Sequence, residues 1–236
     1  MIKKAMILAA GFGKRLYPLT LDCPKPLLKI GKETLLSNTL KLLEKFGIRQ
    51  VVINIHYLDD QIIDYIDKNK FNLKITLIKE KDKILDTGGG VLNAINNFSN
   101  EPFLIINPDT IWNMHYLEEL KKMEKEFIVN KEAKCFLLVV NKEKSFDKSF
   151  KGDFALVNKL ISRKKDGNDL NYIYTGLQII KPEVFSALDL KIFSINKIWD
   201  KLIENNHLYG LKSNVDFLHI STLEIYKSLQ EKNFKH

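Results

Sequence analysis

The sequence is poor in cysteine and has no long apolar run, and each shortage excludes a class of protein. Only two cysteines occur among 236 residues. Cys23 and Cys135 lie far apart and form no metal-ligand spacing, so a disulfide scaffold and a zinc site are both disfavoured and a reducing compartment is favoured. The run over residues 5–10 is too short for the core of a signal peptide, and no segment approaches the length of a membrane span. We expect a cytoplasmic protein that does not contact a membrane.

Positive charge is in excess, but it is not concentrated in one segment. The formal net charge of +8 comes mostly from lysines that are scattered along the chain. Such a surface attracts phosphate-rich ligands, and it would also attract nucleic acid. No basic run interleaved with aromatic residues, no zinc-finger spacing and no RNA-recognition motif accompanies the charge. Nucleic acid is therefore not an expected partner.

The N-terminal half alternates short apolar runs with helical patterns, which is typical of βαβ units around a largely parallel sheet. The patterns predict strands over residues 5–10, 51–55, 73–78, 103–106 and 136–140, and helices over 35–46, 59–66 and 116–126. After residue 141 two short runs, 154–157 and 160–161, indicate a hairpin in a small β insertion. Further elements are a strand near 177–180, a helix starting at Pro182, a helix around 198–204 and a final helix near Thr222. We predict one three-layer α/β domain with a mostly parallel, mixed central sheet.

A glycine-rich segment, Gly11-Phe12-Gly13-Lys14-Arg15, follows the first predicted strand and leads to Pro24-Lys25-Pro26. Glycines at a strand end let backbone N–H groups approach phosphate oxygens, and Lys14 and Arg15 can offset phosphate charge. The spacing fits neither G-x-G-x-x-G nor G-x-x-x-x-G-K-[ST], so neither a dinucleotide fingerprint nor a Walker A loop is present. The glycines alone leave open a tight turn of any doubly wound protein.

Two further features point to ligand contacts. Asp109 follows a buried strand, at the sheet edge where open α/β folds bind ligands, and a carboxylate there suits Mg²⁺. A helix-capping aspartate is the alternative for Asp109. The run Gly88–Gly90 stands at a predicted helix start, where a backbone without Cβ atoms can approach the face of a base, or can form a flexible turn.

The longer string Leu8–Arg15, followed by Pro18, Thr20 and Pro24-Lys25-Pro26-Leu27, strongly resembles the signature of the sugar-1-phosphate nucleotidyltransferases. The resemblance continues along nearly the whole chain, through Val52-Ile53-Asn54, Asp86–Gly90, Asn107-Pro108-Asp109, Gly152-Asp153-Phe154, Tyr174-Thr175-Gly176 and Ser221-Thr222-Leu223-Glu224. Within that family the chain looks most similar to short bacterial uridylyltransferases and to mannose-1-phosphate guanylyltransferases.

The resemblance implies a Rossmann-like nucleotidyltransferase fold, in which residues 1–140 bind the nucleotide and residues 141–236 form the sugar-binding half and the C-terminal helices. It implies that the nucleotide is bound by Leu8, Ala10, Gly11, Gly13, Lys14, Arg15, Glu80, Gly88, Gly89 and Asn107. It makes Arg15, Lys25 and Asp109 catalytic, which fits a transfer that needs mainly positioning and charge stabilisation. The alternative for both basic residues is an exposed side chain. Asp153, Thr175 and Gly176 are implied on the sugar side, where Asp153 could instead be a turn residue.

The sequence departs from the family pattern at two positions. His219 stands where family members typically carry a second metal-binding aspartate. Imidazole is a poorer ligand for Mg²⁺ than a carboxylate, although it suits Mn²⁺ or Zn²⁺ somewhat better. Four outcomes are open. His219 coordinates the metal, Asp216 takes the place of the missing aspartate, Asp109 and the triphosphate hold the ion without a second protein ligand, or catalysis is lost. A lone histidine in an apolar context is more often a packed structural residue than a metal ligand. Pro108 replaces the usual glycine, which stiffens or reshapes the loop carrying Asp109.

The predicted reaction condenses a nucleoside triphosphate with a sugar 1-phosphate and releases pyrophosphate, with Mg²⁺ or Mn²⁺ as cofactor and Asp109 and His219 as candidate metal ligands. UTP with an amino-sugar 1-phosphate such as N-acetylmuramate 1-phosphate is the first choice, and GTP with mannose 1-phosphate is the alternative. A sensor of nucleotide or sugar phosphate without turnover, and a nucleic-acid binder, are alternatives of other classes. A monomer or a homodimer is compatible with the sequence.

Overall fold

The computed structural model describes residues 1–163, 170–186, 188 and 191–232. Their strands are β1 (Lys4–Leu8), β2 (Lys29–Ile30), β3 (Glu33–Thr34), β4 (Gln50–Ile55), β5 (Lys74–Lys79), β6 (Phe103–Ile106), β7 (Cys135–Asn141), β8 (Ala155–Val157), β9 (Leu160–Ser162), β10 (Tyr172–Ile180) and β11 (Leu208–Ser213). Their helices are α1 (Leu19–Asp22), α2 (Leu35–Phe46), α3 (Asp59–Lys68), α4 (Asp86–Ala94), α5 (Tyr116–Val129), α6 (Asn196–Glu204) and α7 (Leu223–Glu231). In this described part, no helix has both the length and the apolar character needed to cross a membrane.

Nine strands form one mixed sheet in the order β5-β4-β1-β6-β10-β7-β11-β9-β8. β5, β4, β1 and β6 are parallel neighbours. β10 runs antiparallel to both β6 and β7, whereas β11 is parallel to β7. Because the parallel strands end at one edge of the sheet, their following loops converge there.

Helices cover both faces of the sheet, which gives the expected three layers. Along β1 the side chains alternate, so that Ala5 and Ile7 join one hydrophobic cluster and Met6 joins the other. Helices α2, α3 and α5 pack on the first face, and α4 and α6 pack on the second. The predicted α/β fold with a mixed central sheet is confirmed.

The local signals at α2 explain why its predicted bounds, 35–46, agree with the structure. The Thr34 side chain accepts a hydrogen bond from the Ser37 N–H at 3.0 Å and caps the first turn. Gly47 ends the helix with a φ of +98°, a conformation that favours glycine. Between these caps the leucines recur on the face that packs against the sheet.

The predicted hairpin is present as β8–β9, and it joins the main sheet through the pairing of Tyr209 with Leu160. The second half differs from the prediction in two places. Strand β11 was not predicted, since Gly210 and Lys212 interrupt its apolar pattern. Pro182 begins a 3₁₀ turn, Pro182–Phe185, rather than a longer helix, and the chain is extended again at Ser186.

Candidate active site

The glycine-rich segment lines a first cavity of about 330 Å³ at the carboxyl end of β1. Gly13 has a φ of +65°, and a Cβ there would lie 3.0 Å from Thr20 Cγ2. The Thr20 hydroxyl donates to the Gly13 carbonyl at 2.9 Å, so the loop is folded back on itself. A Cβ at Gly11 would meet nothing within 4 Å. Gly13 is therefore required by the loop, whereas Gly11 leaves space inside the cavity.

Basic side chains surround this cavity. Lys14, Arg15 and Lys25 line it together with Leu8 and the two glycines of the loop. Lys25 begins a 3₁₀ turn between Pro24 and Pro26. The fixed φ angles of the prolines restrict the backbone that carries its ammonium group. The cavity thus combines open backbone with cations, which suits a polyphosphate.

Asp109 forms an ion pair with Lys25 in the wall of the cavity. Its Oδ2 lies 2.6 Å from Lys25 Nζ, and the two side chains are 20% and 14% exposed. His219 Nε2 lies 3.3 Å from the same oxygen. The Ile220 N–H donates to the Asp109 carbonyl at 2.8 Å, and Thr110 pairs with His219 in an antiparallel bridge. Two distant segments are therefore joined side by side behind the carboxylate.

These contacts set the charge of Asp109. Burial opposes its ionisation, but the Lys25 ammonium and the His219 ring outweigh burial and hold the pKa of that carboxyl well below its ordinary value. Asp109 is consequently a carboxylate at neutral pH. Its other oxygen, Oδ1, is buried and has no hydrogen-bond partner. A buried carboxylate oxygen without a partner is costly, and a divalent cation would satisfy it.

The remaining candidate ligands contribute less to a cation site. His219 is packed between aromatic rings, 5.6 Å from Phe217 and 5.8 Å from Phe150 between ring centroids. Asp216 does not take the place of the missing aspartate, because its side chain is 76% exposed and lies beside Lys144. Within the described ranges, no three His, Cys, Asp or Glu residues are grouped to hold a metal. The site therefore fits a cation that takes most of its ligands from a bound substrate.

A second cavity of about 250 Å³ adjoins the first and shares Leu8, Gly11 and Asp109 with it. Ala10, Asn107 and Glu80 also line it. Glu80 is 2% exposed, and its carboxylate accepts hydrogen bonds from Asn54 Nδ2 and from the Leu85 N–H, both at 2.7 Å. Glu80 therefore fixes the wall of this cavity through protein contacts.

The glycines of the 88–90 run lie inside α4 and are buried. A Cβ at Gly88 would lie 2.4 Å from the Phe193 ring, and one at Gly90 would lie 2.7 Å from Asn54 Nδ2. The N–H groups of Gly88 and Gly89 both donate to the Phe193 carbonyl, at 2.9 and 3.0 Å. Close packing of α4 thus accounts for these glycines, and contact of their backbone with a base stays a prediction. Their neighbours Asp86 and Thr87 line the second cavity instead.

A third cavity of about 580 Å³ continues from the second and shares Asp86, Thr87 and Asn107 with it. It contains the predicted residues Asp153 and His219. Asp153 Oδ2 accepts a hydrogen bond from the Tyr174 N–H at 3.2 Å, so this carboxylate is held by β10. Other lining residues are Phe150, Phe154, Arg163, Tyr174, Ser194, Asn196, Trp199 and Phe217.

Thr175 and Gly176 support the cavities rather than line them. The Thr175 hydroxyl donates to the Leu138 carbonyl at 2.9 Å, and this residue is 1% exposed. Gly176 has a φ of +93°, and its carbonyl accepts the Asn107 N–H at 2.8 Å. A Cβ at Gly176 would lie 3.0 Å from Asn107 Cβ. The irregularity in β10 therefore positions Asn107, which lines two cavities.

Several cavity residues were not predicted as site residues. Asn54, Thr87 and Ser221 lie in segments that carry the resemblance but were given no role, and Arg163 and Trp199 were not noted at all. Trp199 lies on α6 at a position that an amphipathic pattern assigns to the core, and Arg163 resembles the other surface cations of a lysine-rich segment. The sequence signal for these residues was the clustering of polar residues at strand and helix ends. That signal does not indicate which of the polar residues meet in one cavity.

Comparison with known proteins gives a consistent picture. A family model described as nucleotidyl transferase matches residues 4–191, well over half of the chain. N-acetylmuramate alpha-1-phosphate uridylyltransferase of Caulobacter vibrioides is 27% identical over 222 residues, which cover 92% of this chain and 91% of that protein. The protein of the same name from Neisseria meningitidis is 28% identical and covers 96% of both. Probable mannose-1-phosphate guanylyltransferase 1 of Oryza sativa is 27% identical, but the match covers 88% of this chain and 58% of that protein.

Solved structures agree on the fold. HddC from Yersinia pseudotuberculosis has a TM-score of 0.76 at 23% identity, with 98% of this chain and 99% of that chain covered. UDP-glucose pyrophosphorylase from Acinetobacter baumanii has a TM-score of 0.81 at 16% identity, with 100% and 95% covered. At these identities the likeness concerns the arrangement of the chain.

Proposed function

The chain belongs to the nucleotidyl transferase family, and we propose that it joins a sugar 1-phosphate to a nucleoside triphosphate with release of pyrophosphate. The observation that carries this proposal is the Lys25–Asp109 ion pair at the meeting point of the first two cavities. The first cavity suits the triphosphate, the second the nucleoside and the third the sugar. UTP and N-acetylmuramate 1-phosphate are the proposed substrates, because the curated relatives of this name match over nearly their whole length.

In the proposed reaction an oxygen of the sugar phosphate attacks the α-phosphorus of the triphosphate. A new P–O bond forms, the bond to the bridging oxygen of the β-phosphate breaks, and pyrophosphate leaves. Arg15 and Lys25 stabilise charge that accumulates on the phosphate oxygens, and the loop around Gly11 positions them in line. The reaction requires no side-chain nucleophile, so none of the described side chains around Asp109 has to bond covalently to either substrate.

We propose that Asp109, whose Oδ1 lacks a hydrogen-bond partner, would hold a divalent cation, Mg²⁺ or Mn²⁺. When bound it would supply Lewis-acid polarisation of the phosphoryl group. Lys25 and His219 both contact the other oxygen of Asp109, Oδ2, which leaves Oδ1 without a protein partner. Within this proposal His219 orients the carboxylate and is not itself a required ligand.

The proposal is tested by pyrophosphate release with UTP, GTP, dTTP and CTP, each paired with several sugar 1-phosphates and supplied with Mg²⁺ or Mn²⁺. We expect turnover with UTP and N-acetylmuramate 1-phosphate. Asp109→Asn should reduce it at least about 100-fold, because one electrostatic contact in the transition state is lost. Asp216→Asn, at an exposed carboxylate, is the matched control and should leave turnover unchanged.

Two other results are informative. Turnover with GTP and mannose 1-phosphate alone would replace the proposed substrates and keep the reaction class. No pyrophosphate from any pair, with nucleotide binding retained, would mean that the loss of the aspartate at position 219 disables catalysis and that the protein senses nucleotide instead.

A further inference from the structure

Arginine is rare in this chain and is placed unevenly. The sequence contains three arginines, Arg15, Arg49 and Arg163, among 37 lysines and arginines. Arg15 lines the first cavity and Arg163 lines the third. Arg49 is exposed at the opposite end of the sheet, where its N–H donates to the Lys3 carbonyl. Arg163 is also the one lysine or arginine among the described residues that line the third cavity.

The guanidinium of Arg163 is held in a defined position. Its Cζ lies 5.1 Å from the centroid of the Phe154 ring and 5.8 Å from that of Trp199. Nη2 donates to Asn196 Oδ1 at 2.5 Å, and Nη1 pairs with Asp200 Oδ1. Two aromatic faces and two partners on α6 therefore fix its planar fork before any ligand binds, so less freedom is lost on binding.

Arg163 and the residues proposed to bind the phosphates line separate cavities. Lys25 and Asp109 line the first cavity, and Arg163 lines the third. These two cavities share no lining residue, and the second cavity connects them. With the phosphate group of the sugar 1-phosphate placed at Lys25 and Asp109, the guanidinium in the third cavity is available to another part of the sugar.

We propose that Arg163 determines specificity by binding a carboxylate carried on the sugar of the sugar 1-phosphate. This inference rests on the proposed function. Hydroxyl groups of a neutral sugar would be suited by the carboxylates of the same cavity, Asp86 and Asp153. A pre-oriented guanidinium is matched instead to a planar carboxylate, which it can bind through two parallel hydrogen bonds. N-acetylmuramate 1-phosphate carries such a group on its lactyl ether, and N-acetylglucosamine 1-phosphate lacks it.

The test compares these two sugar phosphates in wild type, Arg163→Gln and Arg163→Lys. The readout is the ratio of kcat/KM for N-acetylmuramate 1-phosphate to that for N-acetylglucosamine 1-phosphate. We expect wild type to favour the carboxylated sugar, and Arg163→Gln to lower the ratio about tenfold, near the low end for a charged hydrogen bond because the side chain is 32% exposed. Arg163→Lys keeps the charge and loses the fork, so its ratio should be intermediate.

The control is Arg49→Gln, the same change at the far end of the sheet, which should leave the ratio unchanged. Equal losses with both sugars in Arg163→Gln would assign Arg163 to the shared phosphate or to the fold and overturn the inference. An unchanged ratio would overturn it as well. Calorimetric binding of the two sugar phosphates gives the same comparison without turnover, so failure of the proposed reaction and failure of this inference are distinguishable.

Discussion

At the scale of single residues, the proposed chemistry centres on the two oxygens of Asp109. One is shared by Lys25 and His219, and the other is buried without a partner. Asp109 after a strand and Lys25 between two prolines could be singled out as candidates from the sequence, and their roles remain predictions. The contact of His219 with Asp109 could not be predicted, because it depends on which ring nitrogen faces the carboxylate and on the packing of Phe150 and Phe217.

The ammonium of Lys25 is the main group that offsets the charge of Asp109. Lys25→Met removes it and leaves a buried carboxylate with His219 as its remaining neighbour. We expect pyrophosphate release to fall by about 100-fold to 1,000-fold, the usual effect of losing one preorganised group that stabilises transition-state charge. Lys29→Met, an exposed lysine four residues away, is the control. Equal activity of both variants would contradict the assigned role of Lys25.

The two glycines of the glycine-rich segment, Gly11 and Gly13, should respond differently to alanine. Gly13→Ala places a Cβ in a left-handed conformation against Thr20, so the free energy of unfolding should fall by about 1–2 kcal/mol. Gly11→Ala meets no neighbouring atom, so stability should be kept while nucleotide affinity falls, because the new Cβ enters the cavity. Denaturant unfolding and UTP titration separate the two effects. Full nucleotide affinity in Gly11→Ala would show that the triphosphate lies elsewhere.

At the scale of elements, α4 is placed by contacts that only glycine allows. Gly90→Ala would bring a Cβ within 2.8 Å of Glu80 Oε1 and 2.7 Å of Asn54 Nδ2, so either the helix or the buried, hydrogen-bonded Asn54–Glu80 pair must shift. We expect the free energy of unfolding to fall by about 1–3 kcal/mol, as in other overpacked sites. Asn93→Ala, at an exposed position of the same helix, should be neutral or slightly stabilising. Thermal unfolding of both variants measures the difference.

The elements also show how far sequence patterns determine the fold. β1, α2 and β6 were predictable because their apolar periodicity is local and their ends carry glycine, threonine or proline signals. β11 was not, because it is defined by pairing with β7, which is 73 residues away at the register Leu208–Cys135. The β8–β9 hairpin was recognised, yet its attachment to β11 depends on the same long-range pairing.

At the scale of the whole molecule, the cavities combine residues from both halves of the chain. Gly11, Lys25 and Asp109 come from the half predicted to bind nucleotide, and His219 and Arg163 come from the half predicted to bind the sugar. β10 runs antiparallel between β6 and β7 and so connects the two halves within one sheet. Nucleotide should therefore bind without the sugar phosphate, because its predicted contacts lie in the first half.

UTP with Mg²⁺ should stabilise the folded protein by itself. At a concentration of 100 Kd the gain is about 2.7 kcal/mol, which corresponds to a rise in Tm of roughly 5 to 11 °C for a chain of this size. Lys25→Met should show a smaller rise, and Lys29→Met the full one. A single-stranded oligonucleotide at the same phosphate concentration is the comparison for the net charge of +8. The oligonucleotide could give the larger rise in Tm and lose it between about 50 and 200 mM salt. That result would show that the positive charge binds nucleic acid, and it would contradict the proposed reaction.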